Sequence, residues 1–260
     1  MKKKLSIIGF GRFGQVLAKF LTNDFEVFVT DKVKEKEKEA KKLGVKFVSL
    51  KEASSQKIVV LATPISKLKN VLLKIKPFLK ENVLVLDTCS VKEYPVKLMK
   101  KILPKYVEIL GTHPLFGPDS VKNSLKDRKI VLCPIRTKIE TLTKVKKYLR
   151  SKGLEVIVAS PQEHDKQVAK TLCLVQFIGR ALLDMKVKEH QIDTLSYRRL
   201  LKILETVKKD TKELFYDMHH YNKYSKNFRR DFIDSLVKID KKIKTETCRK
   251  TSISNRARRV

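Results

Sequence analysis

Two short stretches of this chain place acid–base side chains beside rigid turns. The first is Gly111-Thr112-His113-Pro114-Leu115-Phe116-Gly117-Pro118-Asp119-Ser120. It follows the apolar run Val107 to Leu110, so it reads as a strand that ends and opens into a loop. Pro114 holds His113 extended and, with Gly117 and Pro118, makes a stiff turn that aims the imidazole in one direction. Imidazole titrates closest to neutrality, so a rigidly held His113 suits a general base; its plainer role is to cap a nearby carbonyl. The second stretch is Asp87-Thr88-Cys89-Ser90-Val91-Lys92, after the strand Val83 to Leu86. Ser90 can share a crevice with His113 if both strands end at one sheet edge, although a serine before a helix starting near Glu93 reads first as an N-cap.

Positioning these residues requires an ordered sheet, and the N-terminal half has the pattern for one. Lys4 to Ile8 is a short apolar strand, and Gly9-Phe10-Gly11-Arg12-Phe13-Gly14 then opens an amphipathic helix running to Leu21. This is the Rossmann-type Gly-x-Gly-x-x-Gly turn: Gly9, Gly11 and Gly14 let a pyrophosphate approach the backbone, with Arg12 and Phe13 at the positive helix N-terminus. A second strand, Glu26 to Thr30, ends in Asp31, placed to hydrogen-bond an adenosine ribose. A carboxylate there accepts from a 2′-hydroxyl and repels a 2′-phosphate, which favours NAD; Lys32 and Lys34 keep NADP open. The alternation continues with a helix from Val33 to Leu43, strands at Val45 to Val48 and Ile58 to Ala62, and Thr63-Pro64 closing the latter. Helices from Ile65 to about Leu79, from Tyr94 to Leu103 and from Lys138 to Ser151 follow, with strands Lys129 to Cys133 and Leu154 to Ala159. The strand ends of such a doubly wound sheet gather at its carboxyl edge, where ligands bind, so Thr63 joins the nucleotide-binding set.

After Ser160-Pro161 the pattern becomes purely helical, with apolar residues such as Val168, Leu172 and Val175 at helical spacing. The chain thus divides into an α/β nucleotide-binding domain over 1–160, an all-helical region over 161–244 for substrate and dimerisation, and a basic tail over 245–260 expected to be disordered. The helical region has more apolar faces than its own helices can bury, which points to a homodimer. Four scattered cysteines without a Cys-x-x-Cys pair read as reduced thiols in a cytoplasm, with no metal site. No stretch is long and apolar enough to span a bilayer. The formal charge of +31 comes from lysines spread over every helix, not gathered in one stripe, so specific nucleic-acid binding is not expected.

Together these features resemble the prephenate/arogenate dehydrogenase family of tyrosine biosynthesis, most closely its arogenate-type members. The resemblance runs from about Leu5 to Lys244. It rests on the glycine motif at Gly9, Ser-Val-Lys-Glu-Tyr-Pro at Ser90, the His113 segment, Glu-His-Asp-Lys at Glu163, Gly-Arg-Ala-Leu at Gly179, Glu-Leu-Phe-Tyr at Glu213 and Tyr-Asn at Tyr221. It implies hydride transfer from the ring carbon bearing a 4-hydroxyl to NAD or NADP, with loss of the ring carboxylate as CO2. His113 matches the family's base and Ser90 the serine near the same oxygen. His164 and Asp119 match residues that close the substrate pocket, and Arg198 matches one that takes a carboxylate. Gln176 stands where relatives usually carry a second histidine, and it cannot become cationic. Two other readings fit parts of the chain. A nucleotide-sensing domain of potassium transport systems also begins with Gly-x-Gly-Arg-Phe-Gly, but leaves His113 and the helical half without a role. A β-hydroxyacid dehydrogenase would use a lysine in the helical half.

Overall fold

Near-continuous apolar runs separated by amphipathic segments give strands buried on both faces of one sheet. The computed structural model describes residues 2–121 and 124–257, with side chains to residue 246. Its first half runs β1 (Lys3–Ile8), α1 (Arg12–Leu21), β2 (Phe25–Thr30), α2 (Lys36–Lys42), β3 (Lys46–Phe47), α3 (Leu50–Ser54), β4 (Ile58–Leu61) and α4 (Ile65–Ile75). It continues through β5 (Leu84–Asp87), α5 (Glu93–Ile102), β6 (Glu108–Pro114), β7 (Lys129–Arg136), α6 (Ile139–Ser151) and β8 (Glu155–Val158). The second half is α7 (Pro161–Lys170), α8 (Leu172–Asp184), α9 (Leu195–Lys209), α10 (Lys212–Tyr221) and α11 (Ser225–Ala257). The strands form one eight-stranded sheet in the order β3-β2-β1-β4-β5-β6-β7-β8. Every neighbouring pair is parallel except β6 and β7.

β6 carries His113 at its end and runs on through Pro114 because β7 comes back antiparallel, with His113 opposite Val131 and Pro114 opposite Ile130, so the loop opens later than expected. The helix expected from Val33 starts at Lys36, because the Asp31 carboxylate accepts a hydrogen bond from Val33 N and turns the chain first. The tail expected to be disordered is helical as far as Ala257; no glycine or proline lies between Ser225 and Ala257 to break α11. Residues 258–260 lie outside the described residues. Among the described residues, part of the helical half packs into the core of the first. Val168, Cys173 and Met218 join the same buried cluster as Leu68, Leu72, Val96 and Met99 of α4 and α5.

Polar staples fix that docking. Asp217 of α10 accepts from Ser66 N and Ser66 Oγ, both at 3.0 Å, at the start of α4. Within the helical half, α8 approaches α9 through Gly179, where a Cβ would lie 2.5 Å from Val207 Cγ2. α11 leaves Ile233, Leu236 and Val237 exposed at i, i+3 and i+4 spacing. Among the described residues no helix is long and apolar enough to cross a membrane, and no group of three or more His, Cys, Asp or Glu could hold a metal ion.

Candidate active site

The order of strands reverses between β1 and β4, and a ligand crevice opens at such a point in a doubly wound sheet. Gly9 has φ of +99°, and a Cβ on it would lie 2.5 Å from Ala62 O. A Cβ on Gly14 would lie 2.1 Å from Gly9 O, so only glycine lets α1 start this close to β1. Nothing lies within 4 Å of where a Gly11 Cβ would be, which leaves its backbone open to a ligand. The first N–H groups of α1 have no partner within the helix and present positive potential there. Asp31 binds this turn: its Oδ2 accepts from Phe10 N at 2.7 Å and its Oδ1 from Val33 N at 3.0 Å. Each oxygen keeps a lone pair for another donor. The buried Oγ1 of Thr63, just past β4, has no hydrogen-bond partner. An open glycine turn, a helix N-terminus, a carboxylate and an orphaned hydroxyl suit a dinucleotide.

From Thr63 the row continues across the neighbouring strand ends: Ser90 past β5 and His113 at the end of β6. Strands lie about 4.8 Å apart, so these side chains span the width of a small ring and its substituents. Ser90 is buried and its Oγ has no partner, so it is not the N-cap of α5. The start of α5 is capped from outside: Asp165 of α7 accepts from Lys92 N at 2.7 Å and Glu93 N at 2.9 Å.

Asp165 also orders the histidines. Its Oδ1 lies 2.7 Å from His164 Nδ1, and His164 Nε2 lies 2.8 Å from His113 Nδ1. A carboxylate only accepts, so His164 carries its proton on Nδ1; its bare Nε2 then accepts from His113 Nδ1–H. His113 Nε2 is left as the basic nitrogen. Burial, then the neighbouring His164 and Lys92, push His113 well below the usual histidine range and keep it neutral. Lys92, fully buried, pairs with the equally buried Asp87 and donates to Thr112 O at 2.6 Å, one residue before His113.

The other expected substrate residues divide. His164 has both ring nitrogens engaged within the protein, so it supports His113 and has none left for a substrate. Gln176 is buried, with Nε2 2.5 Å from Asp210 Oδ2 and Oε1 unpartnered. Asp119 is exposed and grips Arg12 of the glycine turn with both oxygens, at 2.7 and 2.8 Å, while Arg12 also donates to Lys209 O. Arg198 is not in this cluster: it is exposed and pairs with Asp193 at 2.8 Å. Sequence reasoning missed Asp87, Lys92, Asp165 and Asp210. Asp87, Lys92 and Asp165 stood inside quoted motifs, but nothing local marks a lysine for complete burial.

Residues 17–158 match the family model described as prephenate dehydrogenase, nucleotide-binding domain. Residues 181–253 match one described as TYRAAT1-like, C-terminal domain. Arogenate dehydrogenase 1, chloroplastic, of Arabidopsis thaliana is 32% identical over 84% of this chain and 36% of its own length. A probable arogenate/prephenate dehydrogenase of Methanocaldococcus jannaschii is 30% identical over 93% of this chain and 57% of its own. The chain therefore spans well under two thirds of these two curated relatives. In fold it is similar to the prephenate dehydrogenase of A. aeolicus, crystallised with hydroxyphenyl propionate and NAD+. The TM-score is 0.77 at 24% identity, over 95% of this chain and 92% of the other.

The Asp87–Lys92 pair generates a stability prediction. Lys92→Met leaves a carboxylate buried without its cation, a loss of about 3–5 kcal/mol. Urea unfolding should show that loss, and Lys92→Met with Asp87→Leu should recover most of it. A single variant as stable as wild type would mean that the pair does not hold this edge.

Proposed function

The chain belongs to the prephenate dehydrogenase family, and on that premise we propose that it catalyses the oxidative decarboxylation of arogenate or prephenate. The observation that carries the proposal is the row Gly9, Thr63, Ser90 and His113 on adjacent strand ends, closing on a histidine whose free nitrogen is fixed by its partners. In this reading Gly9, Gly11, Arg12, Phe13, Gly14, Asp31 and Thr63 hold the dinucleotide, NAD in preference to NADP because Asp31 faces the ribose end. The bound nicotinamide supplies the hydride acceptor. His113 Nε2 takes the proton of the ring hydroxyl while Ser90 Oγ donates a hydrogen bond to the same oxygen, favouring the carbonyl that forms as hydride leaves. Loss of the ring carboxylate as CO2 aromatises the ring and His113 gives the proton back to the ring oxygen, so the product is the phenol, no net proton is released and the sequence is downhill.

Residues 1–160 thus form the nucleotide-binding part, and 161–244 the part that completes the pocket. We place the exposed apolar face of α11 in a homodimer. The buried free thiols of Cys89, Cys133 and Cys173 fit a reducing cytoplasm.

The two substrates differ in the side chain, which carries an ammonium in arogenate and a keto group in prephenate. Gln176 brings no cation, and its partner Asp210 is a half-buried carboxylate whose backbone carbonyl accepts from Arg180 at 2.7 Å. A carboxylate here favours the ammonium, so arogenate is the preferred reading. Asp210→Asn should move the ratio of kcat/KM towards prephenate by roughly 10- to 100-fold. An unmoved ratio would take Asp210 out of substrate choice.

His113→Asn should lower kcat by ~100- to 10,000-fold while the affinity for NAD, read by nucleotide titration, stays near wild type. The base works as neutral imidazole. Wild-type rate should therefore be full above the folded value of His113 and fall as pH drops through it, well to the acid side of an ordinary histidine. Unchanged turnover in the variant would return His113 to a structural role.

A further inference from the structure

Arg180, in the Gly-Arg-Ala-Leu segment of α8, carries a half-buried charge with no carboxylate paired to it among the described residues. Its Nη2 donates to the backbone oxygen of Asp210 at 2.7 Å, its buried Nε has no partner, and its guanidinium carbon lies 5.5 Å from the centre of the Phe215 ring. The Asp210 carboxylate turns instead to Gln176, whose Nε2 lies 2.5 Å from Asp210 Oδ2. Neighbouring groups of opposite charge gain most by closing into a forked pair; here a backbone carbonyl and a side-chain amide hold them apart, and each keeps a free side. We propose that Arg180 anchors the carboxylate on the substrate's side chain, and that it is held beside Asp210 so that the two charges together grip an α-amino acid group.

The inference rests on arogenate or prephenate as substrate and extends the reading of Asp210. Both substrates end their side chain in a carboxylate, and only arogenate has an ammonium on the adjacent carbon. The free atoms match that group in kind. A guanidinium offers two N–H edges; the bond to Asp210 O takes an N–H from one of them and leaves the other whole for a carboxylate. Phe215 holds the guanidinium plane by a cation–π contact, which orients that open edge. Asp210 Oδ1, free of bonds among the described residues, and the buried, unpartnered Gln176 Oε1 are both acceptors and suit an ammonium. Gln176 and Arg180 stand at i and i+4 on α8, so they share one face of the helix.

These groups stand at the junction of the two halves of the chain. Arg12 of the glycine turn donates to Lys209 O and Arg180 to the next carbonyl, Asp210 O, so the turn between α9 and α10 is gripped from the nucleotide half and from α8 at once. Asp119, from the segment that follows His113, closes on the same Arg12. Burial raises the Asp210 carboxyl, while Gln176, Arg12 and Arg180 pull it down. His219, which meets the Phe215 ring edge to face, is pushed down to about 4 by burial and by Arg229, so it stays neutral and adds no second cation beside Arg180. The carboxylate is common to both substrates and the ammonium is not. Arg180 therefore sets affinity, and Asp210 sets choice.

The test measures binding apart from turnover, by calorimetric titration of the full chain loaded with NAD. Its probes are tyrosine, which carries both groups, hydroxyphenyl propionate, which carries only the carboxylate, and tyramine, which carries only the ammonium. Arg180→Gln should weaken tyrosine and hydroxyphenyl propionate by roughly 10- to 100-fold and leave tyramine unchanged. Asp210→Asn should weaken tyrosine and tyramine and leave hydroxyphenyl propionate unchanged. Arg180→Lys keeps the charge and a donor for Asp210 O but loses the planar edge, and should fall between wild type and Arg180→Gln for the two carboxylates. In turnover, Arg180→Gln should raise KM for arogenate and prephenate alike, with the ratio of their kcat/KM in place. Equal losses for all the probes in both Arg180 variants, or hydroxyphenyl propionate held as tightly by Arg180→Gln as by wild type, would overturn the proposal. A wild type that binds the probes in the expected pattern but turns over neither arogenate nor prephenate would contradict the reaction and leave the anchor standing.

Discussion

A carboxylate removed from water must be matched on every side, and Asp165 is matched from both halves of the chain. It sits on the first helix of the C-terminal half, yet it caps α5 of the N-terminal half and orients the histidine that orients His113. Asn222, at the end of α10, holds the same residue's carbonyl at 2.9 Å. Docking of the helical half and alignment of His113 are therefore one event. The N-terminal half alone would carry His113, but neither its tautomer nor its direction would be set. The second buried carboxylate, Asp87, is matched on Oδ2 by Lys92, which also holds the strand edge at Thr112, while its Oδ1 has no hydrogen-bond partner.

The sheet supplies the other constraint. Because β1, β4, β5 and β6 are neighbours and parallel, their carboxyl ends form one line from the glycine turn to the histidine, while Asp31 lies on the far side of β1 at the end of β2. In the proposed reading a dinucleotide laid across that line would have its adenosine half towards Asp31 and its reactive half towards Ser90 and His113. Arg12 joins the glycine turn to Asp119 and to Lys209 O.

The sequence made legible what is written locally. The glycine turn, Asp31, the row of strand ends and the change to pure helix at Pro161 follow from short patterns whose physics needs no distant partner. The parts that depended on distant partners were not legible. β6 extends over His113 because β7 returns beside it, and nothing in the residues after Leu110 announces that pairing. Ser90 reads as an N-cap, but Asp165, 73 residues beyond Lys92, takes that task and frees the hydroxyl. His164 reads as a ligand for substrate because its partner His113 lies 51 residues away on β6, and nothing in the sequence shows that the adjacent Asp165 turns back to its ring. The helical extent of α11 could have been read from its lack of glycine and proline, had its basic, polar composition weighed less.

The central claim is that one site on this chain couples hydride removal from a hydroxyl-bearing ring carbon to loss of the ring carboxylate. The direct measurement supplies arogenate carrying deuterium on that carbon, with NAD, and follows nicotinamide mass and CO2 together. The account predicts one deuterium in each reduced nicotinamide and one CO2 for each, in step from the first turnover. Reduced nicotinamide without deuterium, or CO2 released without reduction, would contradict it.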